Sequence, residues 1–394
     1  MLFSACSKAE TTLTIEEDEI AAVGKLLPET VVSEEPEPLP TAEETPDISP
    51  SPYPTVEYEP EPIRATVVAA GDLMCLYAQL LAARKGSKHH FDHCFAEIKE
   101  RVSEADIAIG NLETLVAKGY KLTGPSPETG GPKINAPETF LSAVVGCGFD
   151  VLINANNHIY DYNMDGLNKT IKKLEEYGVY HTGAYATGAQ RDQLIMDVKG
   201  INIAVLGYTD FINGSPRVKG KVDKYSEKLV SADIKAAREK GADFVIVYMH
   251  WGKENTHKIT KRQKSEAVFL ANAGADIIIG SHSHCVQEVG SIETKNANVP
   301  VFYSLGNLIS SMGRTINKDS ALVNITLEKN IETGETKIFE LTYTPTLCTS
   351  TAAGSYVVLP ADDEYISRSG KAKALKAARK RIIKVMGETV AQPE

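Results

Sequence analysis

The sequence predicts an α/β fold in which a mostly buried sheet is flanked by helices. Three observations carry this expectation. From Ile63 onward a unit recurs: a helical stretch, a small turn with Asp, a short apolar run, then a polar cluster. The runs are β-branched and continuous, as in strands covered on both faces. The stretches between them place apolar residues at helical spacing.

The first run, Val67 to Ala70, ends in Gly71-Asp72. Phe91 to Val102 follows with helical spacing, and Glu104-Ala105-Asp106 leads into Ile107 to Ile109, which ends in Gly110-Asn111-Leu112-Glu113. After the helical pattern of Glu138 to Val145, Gly148-Phe149-Asp150 offers a glycine for the left-handed position that closes a helix. Val151 to Ile153 comes next and ends in Asn154-Ala155-Asn156-Asn157-His158. A helix is expected over Asp165 to Tyr177. Gly241-Ala242-Asp243 then opens Phe244 to Met249, which ends in His250-Trp251-Gly252. Arg262 to Asn272 reads as a helix, and Gly274-Ala275-Asp276 opens Ile277 to Ile279, which ends in Gly280-Ser281-His282-Ser283-His284. Residues 321 to 346 alternate around Glu332-Thr333-Gly334-Glu335 as a late hairpin. Residues 364 to 386 form a basic helix, read as packing Leu375, Ala378, Ile382 and Ile383 on the domain with a solvated charged face. Contact with an anionic polymer or membrane surface is its other reading.

In open α/β sheets the carboxyl ends of the strands form the ligand-binding edge. Five strands therefore aim acids, amides and imidazoles at one edge, with four of the nine histidines among them. Imidazole nitrogens with Asp, Glu and Asn oxygens and no thiolate suit Zn, Mn or Fe. The ligands are too many for one tetrahedral ion, which points to two divalent transition metals sharing a carboxylate. In His282-Ser283-His284, an extended segment would point both rings the same way, toward one site or toward one ion each. His89, His90, His93, His181 and His257 lack such placement; the first three are read as surface residues.

Residues 10 to 62 hold 15 Asp or Glu against Lys25, and 10 of the 19 prolines. Such a segment stays extended because it cannot bury enough apolar surface to offset its ordering entropy. With Lys8 counted, residues 63 to 394 carry about +3 of the net −10, so no nucleic-acid partner is expected. Phe3-Ser4-Ala5-Cys6-Ser7 resembles a bacterial lipobox. The expectation is a lipid anchor at Cys6 on the extracellular face of the membrane, with residues 1–9 the remainder of a signal whose start is missing and 10–62 a spacer. The other cysteines, at 75, 94, 147, 285 and 348, form no C-x-x-C pair and read mostly as small buried residues.

Gly71-Asp72-Leu73-Met74, Gly110-Asn111-Leu112-Glu113, Ala155-Asn156-Asn157-His158, His250-Trp251-Gly252, Gly280-Ser281-His282-Ser283-His284 and Tyr303-Ser304-Leu305-Gly306-Asn307 resemble, in order, the motifs of the bacterial capsule-synthesis protein CapA family. That family is linked to poly-γ-glutamate capsules and is similar in fold to calcineurin-type metallophosphatases. The resemblance implies a four-layer αββα sandwich over residues 63–348, followed by a C-terminal extension, 349–394. It implies that Asp72 binds the first metal, Glu113 bridges, Asn157 binds the second, and His250, His282 and His284 complete the shells. His158 is implied as general acid or transition-state stabiliser, and Asn111, Asn156, Trp251 and Asn307 are candidates for substrate contact or ligand support. Two departures stand out: the usual Asp-x-His opening lacks its His, and Glu113 stands where an Asp is usual.

Two functions follow as expectations. One is a surface-tethered metal-dependent hydrolase acting on a phosphoester or an anionic envelope polymer. The other is a non-catalytic accessory protein that holds such a polymer near membrane-bound capsule synthase subunits. Substrate choice lies in loops such as Lys118 to Lys133 and Thr209 to Lys224.

Overall fold

A computed structural model describes residues 61–127, 131–214 and 220–388. Cys6 and the acidic segment up to residue 60 lie outside the described residues. Along the chain the strands are β1 (Ile63–Leu73), β2 (Arg84–Lys85), β3 (Lys88–His89), β4 (Ile107–Leu112), β5 (Val151–Ile153), β6 (Tyr180–Thr182), β7 (Leu194–Val198) and β8 (Ile201–Thr209). They continue as β9 (Phe244–His250), β10 (Ile277–Ser281), β11 (Val289–Glu293), β12 (Asn298–Phe302), β13 (Asn307–Ile309), β14 (Asp319–Lys329), β15 (Thr336–Ser350) and β16 (Tyr356–Pro360).

All of these strands except β2 and β3, which pair with each other, build two large sheets, as the αββα sandwich implied by the resemblance requires. The first has the order β16-β15-β14-β1-β4-β5-β6, with β13 also paired to β1; the second has the order β11-β12-β10-β9-β8-β7. Residue alternation assigns each strand's side chains to two faces. Val67, Ile109 and Ile153 of the first sheet share one core with Val205, Ile246 and Ile279 of the second. Val68, Ala108 and Leu152 instead join Phe140, Val144, Leu167 and Ile171 of the helices Glu138–Cys147 and Asn163–Glu176. Leu206, Val247 and Ile278 pack with Val230, Ile234, Ala267 and Leu270 of the helices Glu227–Glu239 and Lys261–Ala273. The result is a four-layer αββα sandwich. Truncating a central residue such as Ile246 to Ala costs about 2–5 kcal/mol.

The Asp of each recurring unit has a specific task. Asp106, Asp150, Asp243 and Asp276 accept hydrogen bonds from the backbone N–H of Thr66, Ala108, Asn202 and Val245, at 2.8, 2.8, 2.8 and 2.6 Å. Each ties the start of one parallel strand to its neighbour, which helps fix the register that aligns the opposite, polar ends.

Several expectations change. Phe91 to Val102 is two short helices, Asp92–Phe95 and Lys99–Ser103, because Ile98 N–H bonds Phe95 O, three residues back, at 3.0 Å. The basic helix is likewise split, into Asp363–Arg368 and Ala372–Met386, with Ser369, Gly370 and Lys371 between. Nor does the fold respect a boundary at residue 348. β15 continues to Ser350 and pairs with β16, and Ile382 and Met386 enter the core between the sheets. Leu375, Ala378 and Ile382 are buried as expected, whereas Ile383 is only half-buried. Cys75, Cys94, Cys147, Cys285 and Cys348 are free and buried. No helix among the described residues is long and apolar enough to cross a membrane.

Candidate metal centre

Five strand ends meet at one place, three from the first sheet and two from the second. Asp72 and Asn111 are the next-to-last residues of β1 and β4, Glu113 directly follows β4, and Asn157 and His158 follow β5. From the facing sheet, His250 ends β9, and His282 and His284 lie just beyond β10. Asp72, Glu113, Asn157, His158, His250, His282 and His284 are all at most 7% exposed.

Five of these residues form two groups that share Glu113: one with Asp72 and His284, the other with His250 and His282. In the first, His284 Nδ1 lies 3.3 Å from Asp72 Oδ2 and 3.8 Å from Glu113 Oε2. In the second, His250 Nε2 lies 3.6 Å from Glu113 Oε1, 3.0 Å from His282 Nδ1 and 2.9 Å from Asn157 Oδ1. Atoms bound at about 2.1 Å to a common ion are separated by about 3.0 Å at right angles and about 3.4 Å in a tetrahedron. Both groups have nearly that spacing. Moreover, Asp72 Oδ2 and both carboxylate oxygens of Glu113 are buried without a hydrogen-bond partner among the described residues. Burying such oxygens unpaired is costly. The donor set therefore fits divalent ions.

The backbone departs from the extended form assumed for His282-Ser283-His284. Both histidines have positive φ, 82° and 56°, a conformation rare outside glycine and common at functional sites. The two rings consequently serve different groups. Asn111 Nδ2 donates to Asp72 Oδ1 at 2.7 Å and lies 3.2 Å from His250 Nδ1, while Asn156 Nδ2 donates to Leu112 O at 2.9 Å. These two amides orient the ligand-type residues. Trp251 takes no part. Fully buried, it donates from Nε1 to Tyr303 O at 2.9 Å and packs in the outer core of the second sheet.

Burial acts on the two chemistries in opposite directions. Burial, followed by the Asp72 charge, pushes Glu113 well above the usual carboxylate range, with His284 pulling partly back. Burial, followed by the neighbouring imidazoles, pushes His250 well below its usual value and His282 down to about 3. Burial would lower His284 too, but the Glu113 and Asp72 carboxylates prevail and raise it to about 10. At neutral pH, His250 and His282 thus already carry a free lone pair, whereas in the ion-free site His284 keeps its proton.

His158 belongs to neither group. Its Nδ1 lies 2.7 Å from Asp161 Oδ2, an oxygen that also accepts Ile134 N–H at 2.7 Å. Since Asp161 Oδ2 already acts as an acceptor toward Ile134, Nδ1 is the donor in the His158–Asp161 contact and Nε2 is the other ring nitrogen. The ring lines a cleft of about 1010 Å³ together with Asn157, His284, Tyr77, Lys133 and Glu254. Both expected substrate loops contribute to its walls, through Gly124 and Lys133 from one and Asn213 from the other. Sequence reading missed Asp161, although its i, i+3 spacing from His158 was a signal. It also missed Ser281, whose Oγ lies 2.9 Å from His250 Nδ1, and Phe211, stacked on the His282 ring at 4.6 Å, for which no motif gave notice. His89, His90, His93, His181 and His257 belong to neither group.

Fold and site together define a class: an αββα sandwich whose two facing sheets deliver oxygen and imidazole donors to a buried, metal-type cluster at their seam. Residues 66–312 match the family described as bacterial capsule synthesis protein PGA_cap, and the chain belongs to that family. It is 32% identical over 279 residues to the capsule biosynthesis protein CapA of Bacillus anthracis, covering 68% of this chain and 65% of that protein. It is 31% identical over 274 residues to the PGA biosynthesis protein CapA of Bacillus subtilis, covering 66% and 67%. The chain thus spans about two thirds of the length of these relatives. Among solved structures it is similar to the calcineurin-like phosphoesterase YfkN from Bacillus subtilis, with 13% identity, a TM-score of 0.42 and coverage of 82% of this chain and 98% of that one. A phosphatase from Mycoplasma pneumoniae gives 13% identity, a TM-score of 0.42 and coverage of 78% and 98%.

Proposed function

We propose that this protein is a metal-dependent hydrolase of the cell envelope that acts in the synthesis or export of a poly-γ-glutamate-like capsule polymer. The observation that carries the reading is the set of three unpartnered, buried carboxylate oxygens ringed by imidazole nitrogens in two groups with one shared acid. Asp72, Glu113 and His284 would hold one ion, and Glu113, Asn157, His250 and His282 a second, each Mn, Fe or Zn. When bound, such a pair supplies Lewis-acid polarisation of a phosphoryl or acyl oxygen and a water made acidic enough to attack. The chain's own contribution is positional and protonic. Asn111 holds Asp72 in place, and Asp161 fixes the His158 tautomer. With its Nδ1 held by Asp161, the His158 ring would take up a second proton at Nε2 and deliver it to the leaving group of a phosphoester or polymer bound in the cleft.

Metal analysis of the purified protein, with hydrolysis of a phosphodiester and of poly-γ-glutamate, tests this reading. About two transition ions per chain and loss of activity in Asp72→Ala and His282→Ala are expected. Less than one ion, or unchanged activity in both variants, would sink it. The proposed setting is the extracellular face of the membrane, anchored through Cys6, and Cys6→Ala should shift the protein from membrane to soluble fractions.

A second reading, a polymer-holding accessory of membrane synthase subunits, has one observation in its favour. Lys373, Lys376, Lys380 and Lys384 line the exposed side of the helix Ala372–Met386 and form no ion pair among the described residues. It requires poly-γ-glutamate binding that weakens steeply with salt and disappears when all four become Gln.

A further inference from the structure

The two proposed ion sites are unequally furnished. The second draws on Glu113, Asn157, His250 and His282, whereas the first has only Asp72, Glu113 and His284, because Leu73-Met74 provides no histidine after Asp72. We propose that Asn307 Oδ1 is the missing protein ligand of the first ion. This inference rests on the metal-centre reading above.

Asn307 begins β13, which pairs in parallel with β1 so that Asp72 and Asn307 are register partners. Asp72 N–H donates to Gly306 O at 2.9 Å. This approach needs a glycine at position 71, where a Cβ would fall 1.9 Å from Gly306 O. Asn307 is therefore held beside Asp72 by backbone that leaves no space for drift. Its amide orientation is also determined. Nδ2 donates to Ser310 Oγ at 3.0 Å and Asn317 O at 3.2 Å, with Met312 Sδ at 3.3 Å. Those partners occupy the nitrogen side, so the oxygen faces the other way. There Oδ1 lies 3.0 Å from His284 Nδ1, the atom that also has Asp72 Oδ2 at 3.3 Å and Glu113 Oε2 at 3.8 Å. Asn307 is fully buried. This is the pattern of the second group, where an amide oxygen, Asn157 Oδ1, lies 2.9 Å from the central imidazole nitrogen. One amide oxygen thus stands at each group, and the one at the first replaces an imidazole.

Co²⁺ is a suitable probe, because equilibrium dialysis counts the ions and the visible absorption of Co²⁺ reports its ligands. The wild type should take up two ions. In Asn307→Ala the second ion should bind as before, while the first should weaken more than about 100-fold, beyond the 10–100-fold typical of losing an outer partner. Asn307→Asp keeps the oxygen and loses the N–H donors. It should restore the first ion with an altered spectrum at that site alone. First-ion affinity in Asn307→Ala within about 100-fold of wild type would overturn the assignment, as would an unchanged spectrum in Asn307→Asp. Failure of both variants to take the first ion would also overturn it, since the N–H donors would then be what matters. Co²⁺ uptake that depends on Asn307 in a protein that hydrolyses nothing supports this ligand and overturns the catalytic reading instead.

Discussion

The two sheets contribute opposite chemistry to one site. The first provides oxygens, from Asp72, Glu113, Asn157 and Asn307; the second provides nitrogens, from His250, His282 and His284. Burial makes each set uncomfortable by itself, pushing the Glu113 carboxyl up and the His250 and His282 rings down. A cation between them relieves both, since it neutralises the acids and binds the free lone pairs. Neither sheet alone presents either group of donors complete. Ion affinity should therefore be linked to the packing of one sheet on the other, through Val67, Ile109, Ile246 and Ile279 in the shared core.

The largest expected effect comes from the residue common to both groups. Glu113→Gln should leave less than one ion per chain and no measurable hydrolysis, whereas His282→Ala should lose only one ion. Elemental analysis of the two variants checks this. A Glu113→Gln protein with two tightly bound ions would dissolve the idea of a shared acid and leave the imidazole half dominant.

Next in size is the proposed proton donor, His158, which follows β5 of the first sheet but belongs to neither ion group. Asp161→Asn should lower kcat by roughly 100-fold by releasing the His158 tautomer. KM and ion content should stay near those of the wild type. Loss of ions in this variant would mean that Asp161 supports the metal-type cluster and not His158.

Much of this arrangement was legible in the sequence because polar residues at the ends of continuous apolar runs fall at the carboxyl edge of a sheet, where ligands bind. Which sheet each run joins was not legible. A strand buried on both faces reads the same in either sheet, so β1, β4 and β5 could not be told from β9 and β10. Trp251, a candidate through the His250-Trp251-Gly252 motif, packs away from the cluster, as strand alternation implies. Tyr248 faces the inter-sheet core, while Val247, Met249 and Trp251 share the outer one. The extended segment expected for His282-Ser283-His284 left open whether the rings share one site or serve one ion each; positive φ at both replaces that segment, and the rings fall in different groups. Phe211 lies in a loop without periodicity, where only tertiary structure reveals that it stacks on His282.

The halves should also separate by pH in protein stripped of metal with a chelator. His250 and His282 are depressed in the fold, so their contribution is complete above the usual 6.5 and is lost as pH falls toward about 3 for His282. His284 is raised, so its contribution is complete below 6.5 and is lost as pH rises toward about 10; Glu113, also raised, acts in the same sense. Below 6.5 the two depressed imidazoles outnumber Glu113. The site's own contribution to thermal stability should accordingly be greatest near neutrality, with losses on both sides, and added metal should suppress the alkaline loss. A melting temperature that climbs steadily from pH 6.5 to pH 5 would show that the imidazole half is not buried in its neutral form.

The smallest expected effect tests the seam itself. Tyr248 Oη of the second sheet donates to Ala70 O of the first, two residues before Asp72, and so crosses between the halves next to the site. Tyr248→Phe removes that hydrogen bond while keeping the ring in the shared core, at a cost of about 1 kcal/mol. The melting temperature should fall by about 2 °C, near the lower end expected for a large domain. Ion content should not change, because the apolar contacts around Ile246 and Ile279 align the sheets over a far greater area than one hydroxyl does. If the ions are lost along with the hydroxyl, alignment of oxygens with nitrogens depends on a single polar contact and not on the packing of the sandwich.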